Sequence, residues 1–450
     1  MVTLIIVNIE MNFLNKSYFV YVLLLFLSFT AHAQDQSISH VSLQTIWAKA
    51  LSQNKSIQIQ ALKVTGSEEA IKDAKAERLP DLEAEGEYAR VSNMPVYTNG
   101  LFHAHDQFEV VHTAYDFGGN AYLNLYNGNK TSLKIREEKQ RKELAIQQKN
   151  LTSSEIKLQA TAYYLDLQRN RIFKNLLLKD ISDQERQLAE IRQLLKNGVV
   201  LKSDVLRAEL NLSRQRMSMI QLDNDLAITN QRLNILIGND DNVQNIPDST
   251  SEVNSAVRSY EDYLMEASAN SFESKISEQE VAISKLEIRN VKANTSFKVG
   301  FFAKYAYSYP QIRFYPYSIA LYGLGLSGIK ASFPISSFYH NKHKVQAAQI
   351  AYQQQEISHA QISDDVRQEV KEAYLRYTEA LKRIEVAKEN IRQATENLRI
   401  VNNTYFNQLS LLTDLLDADT QLLQTRFDLA AAQIASQLQY YKLQKVTGNL

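Results

Sequence analysis

The sequence predicts a mixed α/β membrane protein in which long α-helical coiled-coil hairpins and four β-strands share one chain. Three observations carry that reading. A heptad-patterned stretch occurs twice, at a constant offset of 210 positions. Ahead of each copy stand two segments with period-2 alternation, the second pair dense in aromatic residues. The chain also opens with the pattern of an export signal.

That pattern comes first. Lys16 precedes the apolar run YFVYVLLLFLSF, and Ala31-His32-Ala33 supplies a small-x-small cleavage site before Gln34. The run is short for a membrane span, so residues 1–33 read as a signal peptide. Met11 is the expected start, because Glu10 and the apolar stretch before it make a poor n-region; an uncleaved anchor helix is the alternative. Beyond residue 33 no apolar run is long enough for a transmembrane helix. The 50 basic and 50 acidic residues cancel, so charge points to no nucleic-acid partner. With no cysteine, disulfides, thiol catalysis and lipidation through Cys are excluded. Only 13 Gly and 6 Pro in 450 residues favour long uninterrupted helices.

Residues 34–239 form the first copy and residues 260–450 the second, with a polar linker over 240–259. Each copy opens with a helical pair: residues 41–78 (VSLQTIWAKALSQNKS…AKAER) answer residues 260–293, and Asn54 answers Asn270. Two strands follow in each. Residues 81–92 put Leu82, Ala84, Gly86 and Tyr88 on one face and Glu83, Glu85 and Glu87 on the other, with a second strand over 105–117. In the second copy, residues 295–309 line up Phe297, Val299, Phe301, Ala303, Tyr305, Tyr307 and Tyr309 against Ser296, Lys298, Lys304 and Ser308; residues 320–334 are the fourth strand. Residues 297–339 hold 13 aromatics, a density three times the chain's 9%. Alternation with aromatic enrichment is the signature of an outer-membrane barrel strand. It also fits a soluble sheet with one buried face. Four strands cannot close a barrel and leave unpaired edges, which lipid does not tolerate. A barrel shared among identical chains solves this, so the sequence implies an oligomer.

The heptads then run over residues 130–237 and 341–448. Leu167, Ile181, Leu188 and Leu195 step by sevens, interrupted by Lys174, and match Tyr377, Ile384, Ile391, Leu398 and Tyr405. Val205, Leu212, Met219, Leu226 and Leu233 match Leu415, Leu422, Leu429, Ser436 and Leu443. Such periodicity predicts a left-handed coiled coil, and an ascending helix over 130–196 would be about 100 Å long. Between the two helices of each hairpin lies a repeated motif, NGVVLKSDVLRAE at 197–209 and NQLSLLTDLLDAD at 407–419. Gly198 suits a left-handed helix end, and Ser203-Asp204 and Thr413-Asp414 can cap the helix that follows. Gln408 replaces the glycine in the second copy, so that turn is expected to differ.

The opening VSLQTIWAKALSQNKS, the helix end AKAERLPDLEAEGEY, the strand-to-helix turn AYDFGGN and the doubled G-x₄-SD-x-L-x-A motif together resemble the TolC-like outer-membrane efflux proteins over essentially the whole mature length. The resemblance implies a homotrimer whose twelve strands form one outer-membrane β-barrel, continued by a periplasmic α-helical tunnel. It implies an exit duct that passively serves an inner-membrane transporter and a periplasmic adaptor, in a tripartite efflux or type I secretion system, with outer-membrane lipid around the barrel. The cargo stays open among drugs, metals, siderophores and proteins. By the same resemblance the repeated turns are the periplasmic tips that meet the adaptor. The family's entrance-lining acids match Asp414 and Asp417, three apart on one helix face; a ring of them would favour cations, although both also suit the first turn of a helix. The family's closed-state latch matches Ser203 and Asp204 on one tip and Tyr405 on the other, but Ser410 stands where its Arg would be. Tyr405 also fits simple heptad packing. Glu83, Glu85 and Glu87, if lumenal, would extend the cation-favouring field.

No catalytic set appears, and neither an enzyme nor a cofactor is expected. His103 and His105 fall in a loop between strands, and His340-x-x-His343 has no further ligand to complete a metal site. No phosphate-cradling loop is present, so energy would come from a partner. The rival reading is a soluble periplasmic coiled-coil scaffold or adaptor-like binding protein.

Overall fold

A computed structural model describes residues 38–450 apart from residues 109, 249–256 and 312–317. The expected signal peptide, with its Met11 start, lies outside the described residues. In chain order the elements are β1 (Ile38–Val41), α1 (Leu43–Gln53), α2 (Lys55–Ala76), β2 (Asp81–Arg90), β3 (Met94–Val96), β4 (Asp106–Phe108), β5 (Thr113–Tyr126), α3 (Lys130–Lys196) and α4 (Lys202–Ile237). Then come β6 (Gln244–Pro247), α5 (Tyr260–Asn270), α6 (Phe272–Lys292), β7 (Lys298–Tyr309), β8 (Tyr322–Ser332), the one-turn α7 (Ser337–His340), α8 (Lys342–Phe406) and α9 (Leu412–Val446). The two ascending helices are 67 and 65 residues long. No helix among the described residues is long and apolar enough to cross a membrane.

The chain divides into two compact units. One comprises Met1–Asn54, Gln159–Asn254 and Ala380–Leu438. Its short parallel sheet pairs β1 with β6, so part of the expected 240–259 linker is a strand. Residues 249–256 of that linker lie outside the described residues. Ser42 starts α1 by accepting the Thr45 amide at 3.2 Å, and the helix buries Leu43, Ile46 and Ala50. Trp47 Nε1 donates to Thr161 Oγ1 at 2.9 Å. Of the heptad residues, Leu167, Leu188, Val205, Leu212, Leu233, Leu415 and Leu422 are buried, while Ile181, Leu195, Met219 and Leu226 are half-buried. Lys174, which breaks the row, reaches across to Asp223 of α4 at 2.6 Å. Arg192–Glu209 and Arg216–Glu185, also at 2.6 Å, lace α3 to α4 in the same way. Such exposed pairs contribute little to stability.

The other unit comprises Lys55–Leu158, Ser255–Glu379 and Gln439–Leu450. A capping box of Ser259 and Asp262 starts α5. Its Tyr260 and Tyr263 pack on Tyr374 of α8 with ring centroids 5.9 and 6.2 Å apart, and Lys445 of α9 pairs with Glu273 of α6 at 2.6 Å.

This unit also holds an antiparallel four-stranded sheet in the order β2-β5-β7-β8. Its register puts Glu83, Asn120, Lys304 and Leu326 in one row, and Ala84, Gly119, Tyr305 and Gly325 in the next. Partners in a row share a face, so the two faces read from the sequence are kept across three strands. One carries Glu83, Glu85, Glu87, Asp116 and Lys304. The other carries Leu82, Tyr88, Phe117, Tyr305 and Tyr307, all exposed. Tyr115 stacks on Tyr309 and Phe117 on Tyr307, with centroids 4.9 and 5.2 Å apart. In β8 glycines at 323 and 325 leave the space that the Tyr305 and Tyr307 rings occupy.

The second strand departs from expectation. The segment 105–117 is not one strand: β4 takes only Asp106–Phe108, pairing with β3, and β5 runs on to Tyr126. Gly118 and Gly119, read as part of a turn, lie inside β5. A Cβ at Gly118 would sit 2.3 Å from the Tyr305 carbonyl oxygen, so the glycine serves close strand approach rather than chain reversal.

Both hairpins end on left-handed glycines, Gly238 and Gly448. A Cβ on Gly448 would lie 2.3 Å from the Asn270 carbonyl oxygen, whereas one on Gly198 would meet nothing within 4 Å. Gly198→Ala should therefore cost only the left-handed backbone, about 1 kcal/mol, and Gly448→Ala about 1–3 kcal/mol more. Denaturation midpoints of the two variants would check this; equal losses would mean that the end of α9 is not held against α5.

Candidate functional site

The two hairpin turns of the first unit are built alike. After α3, Gly198 takes φ +74°, and Gly198 N and Val199 N donate to the carbonyls of Leu195 and Leu194 at 3.0 and 2.9 Å. After α8, Gln408 takes φ +63°, and Gln408 N and Leu409 N donate to the carbonyls of Tyr405 and Thr404, both at 2.8 Å. This is the same left-handed helix end twice. The expectation that the second turn differs is corrected: Gln408 adopts the conformation a glycine would take, and the backbone bonding compels it.

The helices that leave the turns also begin alike. Asp204 Oδ2 accepts the Leu201 amide and Asp414 Oδ2 accepts the Leu411 amide, each at 3.1 Å. Each carboxylate satisfies an otherwise open N–H and faces the positive end of its helix. The capping group is thus the aspartate, while Ser203 is exposed and Thr413 half-buried. Ser410 Oγ accepts from Thr404 Oγ1 at 3.1 Å, a local bond within its own turn. Asp414 and Asp417 are both exposed at the head of α9.

Behind the turns, all four long helices contribute to one apolar cluster: Leu188, Ile191, Val205, Ala208, Leu212, Tyr405, Leu412 and Leu415. Tyr405 is 7% exposed, which fits the packing role its heptad position predicted. Among the described residues its hydroxyl has no hydrogen-bond partner. Burial, and then the charge of nearby Asp204, raise its pKa. The structure thus brings Tyr405 and Asp204 into one neighbourhood. Around this core the tips expose Val199, Leu201, Phe406, Leu409 and Leu411, an apolar fringe of a kind that marks contact surfaces.

In the other unit, Glu83, Glu85 and Glu87 stand exposed on one face of edge strand β2. Lys304 of β7 forms an ion pair with Glu85, so one of the three acids is neutralised in place. His103 and His105 lie exposed between β3 and β4, and among the described residues no three potential ligands cluster as a metal site would need.

Sequence reading missed a buried polar layer next to the apolar cluster. Gln184 of α3 bridges Asp180 and Asp419, from α3 and α9. The available signal was Gln184 itself, a polar residue in the three-four spacing of Ile181, Leu188, Ile191 and Leu195 where an apolar one belongs.

Residues 47–239 and 320–449 match the sequence model of the family described as outer membrane efflux protein. No curated protein matches the sequence. Among solved structures, the outer-membrane channel OprN superposes with a TM-score of 0.74 at 15% identity, covering 91% of this chain and 90% of its own. The outer membrane protein VceC of Vibrio cholerae gives 0.72 at 15%, covering 90% and 96%. The open-state outer membrane channel MtrE of Neisseria gonorrhoeae gives 0.70 at 16%, covering 90% and 88%. At such identities these likenesses establish a shared fold.

The turn geometry yields a direct test. Gln408→Gly should stabilise its hairpin by about 0.5–1 kcal/mol, because the left-handed strain exceeds the added chain entropy. Hydrogen exchange of the amides around residue 408 should slow accordingly; faster exchange would mean that the Gln side chain contributes contacts which outweigh the strain.

Proposed function

This chain belongs to the outer membrane efflux protein family, and on that premise we propose that it is a passive exit duct, homotrimeric, joining an inner-membrane transporter and a periplasmic adaptor to the outside. The observation that carries the reading is the combination in one chain of the β2-β5-β7-β8 sheet with two hairpins whose tips are built alike. The sheet exposes an aromatic face and leaves β2 and β8 with one ladder partner each among the described residues. In lipid such edges need partners, and three copies in cyclic symmetry supply them at twelve strands.

The roles within the duct follow from position. The tips, with their apolar fringe, are the surface offered to the adaptor. Asp414 and Asp417, repeated by threefold symmetry, form the cation-favouring entrance, and Asp414 performs this while also capping α9. Ser203 and Asp204 with Tyr405 are the part of a latch that this chain retains, and Ser410 supplies no charge to it. Glu83 and Glu87 continue the acidic lining into the barrel. Transport then requires no covalent step: the tips shift between two arrangements, biased by whichever one the partner binds more tightly. Energy comes from the transporter.

A soluble coiled-coil scaffold is the competing reading, and the exposed Tyr88, Phe117, Tyr305 and Tyr307 face speaks against it. Electron microscopy of the mature chain settles the matter. A threefold particle that requires detergent supports the duct; a monomer stable without detergent would overturn it. In bilayer recordings, replacing both Asp414 and Asp417 with Ala should reduce block by multivalent cations by about tenfold or more. Asp417→Ala alone, which leaves the cap of α9 intact, should lose part of the block. Undiminished block in the double variant would remove these carboxylates from the entrance.

A further inference from the structure

The polar layer behind the tips has no use in the duct as described so far. Asp180 is 6% exposed and Gln184 4%. Gln184 Nε2 donates to Asp180 Oδ2 at 2.9 Å and to Asp419 Oδ2 at 3.4 Å. Its Oε1 accepts from Asn211 Nδ2 of α4 at 3.3 Å. One side-chain amide therefore serves two carboxylates, and the layer draws on three helices. The charges around the pair are Asp183 on α3 and Arg426 on α9, while α4 offers the neutral Asn211. Asp183 is itself paired with Arg186.

Two ionised carboxylates sharing one buried amide would repel each other with little water to screen them, and burial penalises each charge separately. One proton relieves both costs. Burial, and then the charge of Asp419, push Asp180 up to about 7. Burial likewise holds Asp419 above the usual carboxylate range. The repeat does not demand such a pair. At the offset of 210 the counterparts of Asp180, Gln184 and Asp419 are Asn390, Ala394 and Glu209, and Glu209 pairs with Arg192. The double acid is particular to this one position.

We propose that Asp180 and Asp419 hold a single proton between them and form, with Gln184 and Asn211, a proton-operated fastener that ties the first hairpin to α9 beside the tip turns. With the proton in place, the two carboxyl groups that share the Gln184 amide carry one negative charge between them. Without it, two negative charges must separate or take up water, and the packing of α3 against α9 loosens. The sign follows from linkage. The carboxyl binds its proton more tightly in the packed state than when open to water. Its contribution to packing is therefore complete under acid conditions and is lost as pH rises through about 7. The fastener rests on the packing of one unit and not on conduction, so the readouts below stand whether or not the chain is a duct.

The test is hydrogen exchange of the full-length protein in detergent, followed in peptides around Asp180 and Asp419 and corrected for the intrinsic pH dependence of exchange. Protection there should fall about tenfold between about pH 6 and pH 8, the ratio that a folded-state value near neutrality imposes. Asp180→Asn removes the acid that titrates near neutrality and has an amide that can donate toward Asp419, so any remaining fall in its protection should lie below that range. In Asp419→Asn one repelling charge is gone, and the fall should move to lower pH. Infrared spectroscopy adds a direct view: the wild type should show a protonated-carboxyl carbonyl band that fades over the same range and is missing from Asp180→Asn. Flat protection in the wild type, an unchanged slope in Asp180→Asn, or a fall at unchanged pH in Asp419→Asn would each overturn the shared proton.

Discussion

Among the described residues the outer edges of β2 and β8 have no ladder partner, and that constrains the rest of the molecule. A peptide group in hydrocarbon must be paired, and four strands offer no way to pair their own edges. On the homotrimeric reading proposed above, the sheet is one chain's share of a larger barrel. Across β2, β5 and β7 the charged residues Glu83, Glu85, Glu87, Asp116 and Lys304 and the aromatic residues Tyr88, Phe117, Tyr305 and Tyr307 are sorted to opposite faces, so the sheet has two chemically distinct sides. Glycines at 323 and 325 of β8 leave room for the Tyr305 and Tyr307 rings on the aromatic face. The coiled-coil hairpins then answer a separate requirement, that of reach, which heptad packing meets with few kinds of residue.

Duplication solves the tip economically and also exposes what the backbone dictates. Two turns with different sequences, one with Gly198 and one with Gln408, close with the same bonds. The aspartate three residues into each following helix takes the same amide. What differs between the copies is side-chain chemistry: a serine bonded within its own turn at 410, a buried phenol at 405, exposed acids at 414 and 417. The shared backbone makes the tips; the differences between them are where selectivity and gating can be written.

Much of this was legible in the sequence because it rests on periodicity. The heptad rows became buried seams, and the alternation of residues 81–92 and 295–309 became two distinct faces. Even Lys174, which broke the row, found its place by reaching to Asp223. What was not legible depended on tertiary contact. The Gly118-Gly119 pair looks like a turn, and only the approach of β7 shows why a strand needs it. Gln408 looked incompatible with a left-handed turn, but helix-end bonding outweighs a strain of about 1 kcal/mol. Asp180 resembles any solvated acid on a long helix until α9 packs over it; its neighbour Gln184 was the warning, as a polar residue in an apolar row. At the candidate site, the sequence pointed to the residues around the two turns, and the structure added the backbone and capping bonds that build each turn.

The register of β8 has one more implication. Leu324 and Leu326 fall in the same rows as Ala306 and Lys304, and thus on the face that carries Glu83, Glu85 and Glu87. Both leucines are exposed. In a closed barrel each β8 would lie beside the acidic β2 of the next chain, so leucine stripes would alternate with carboxylate stripes around the bore. With that face turned to the bore, the wall would carry apolar and acidic stripes side by side in place of one uniform lining.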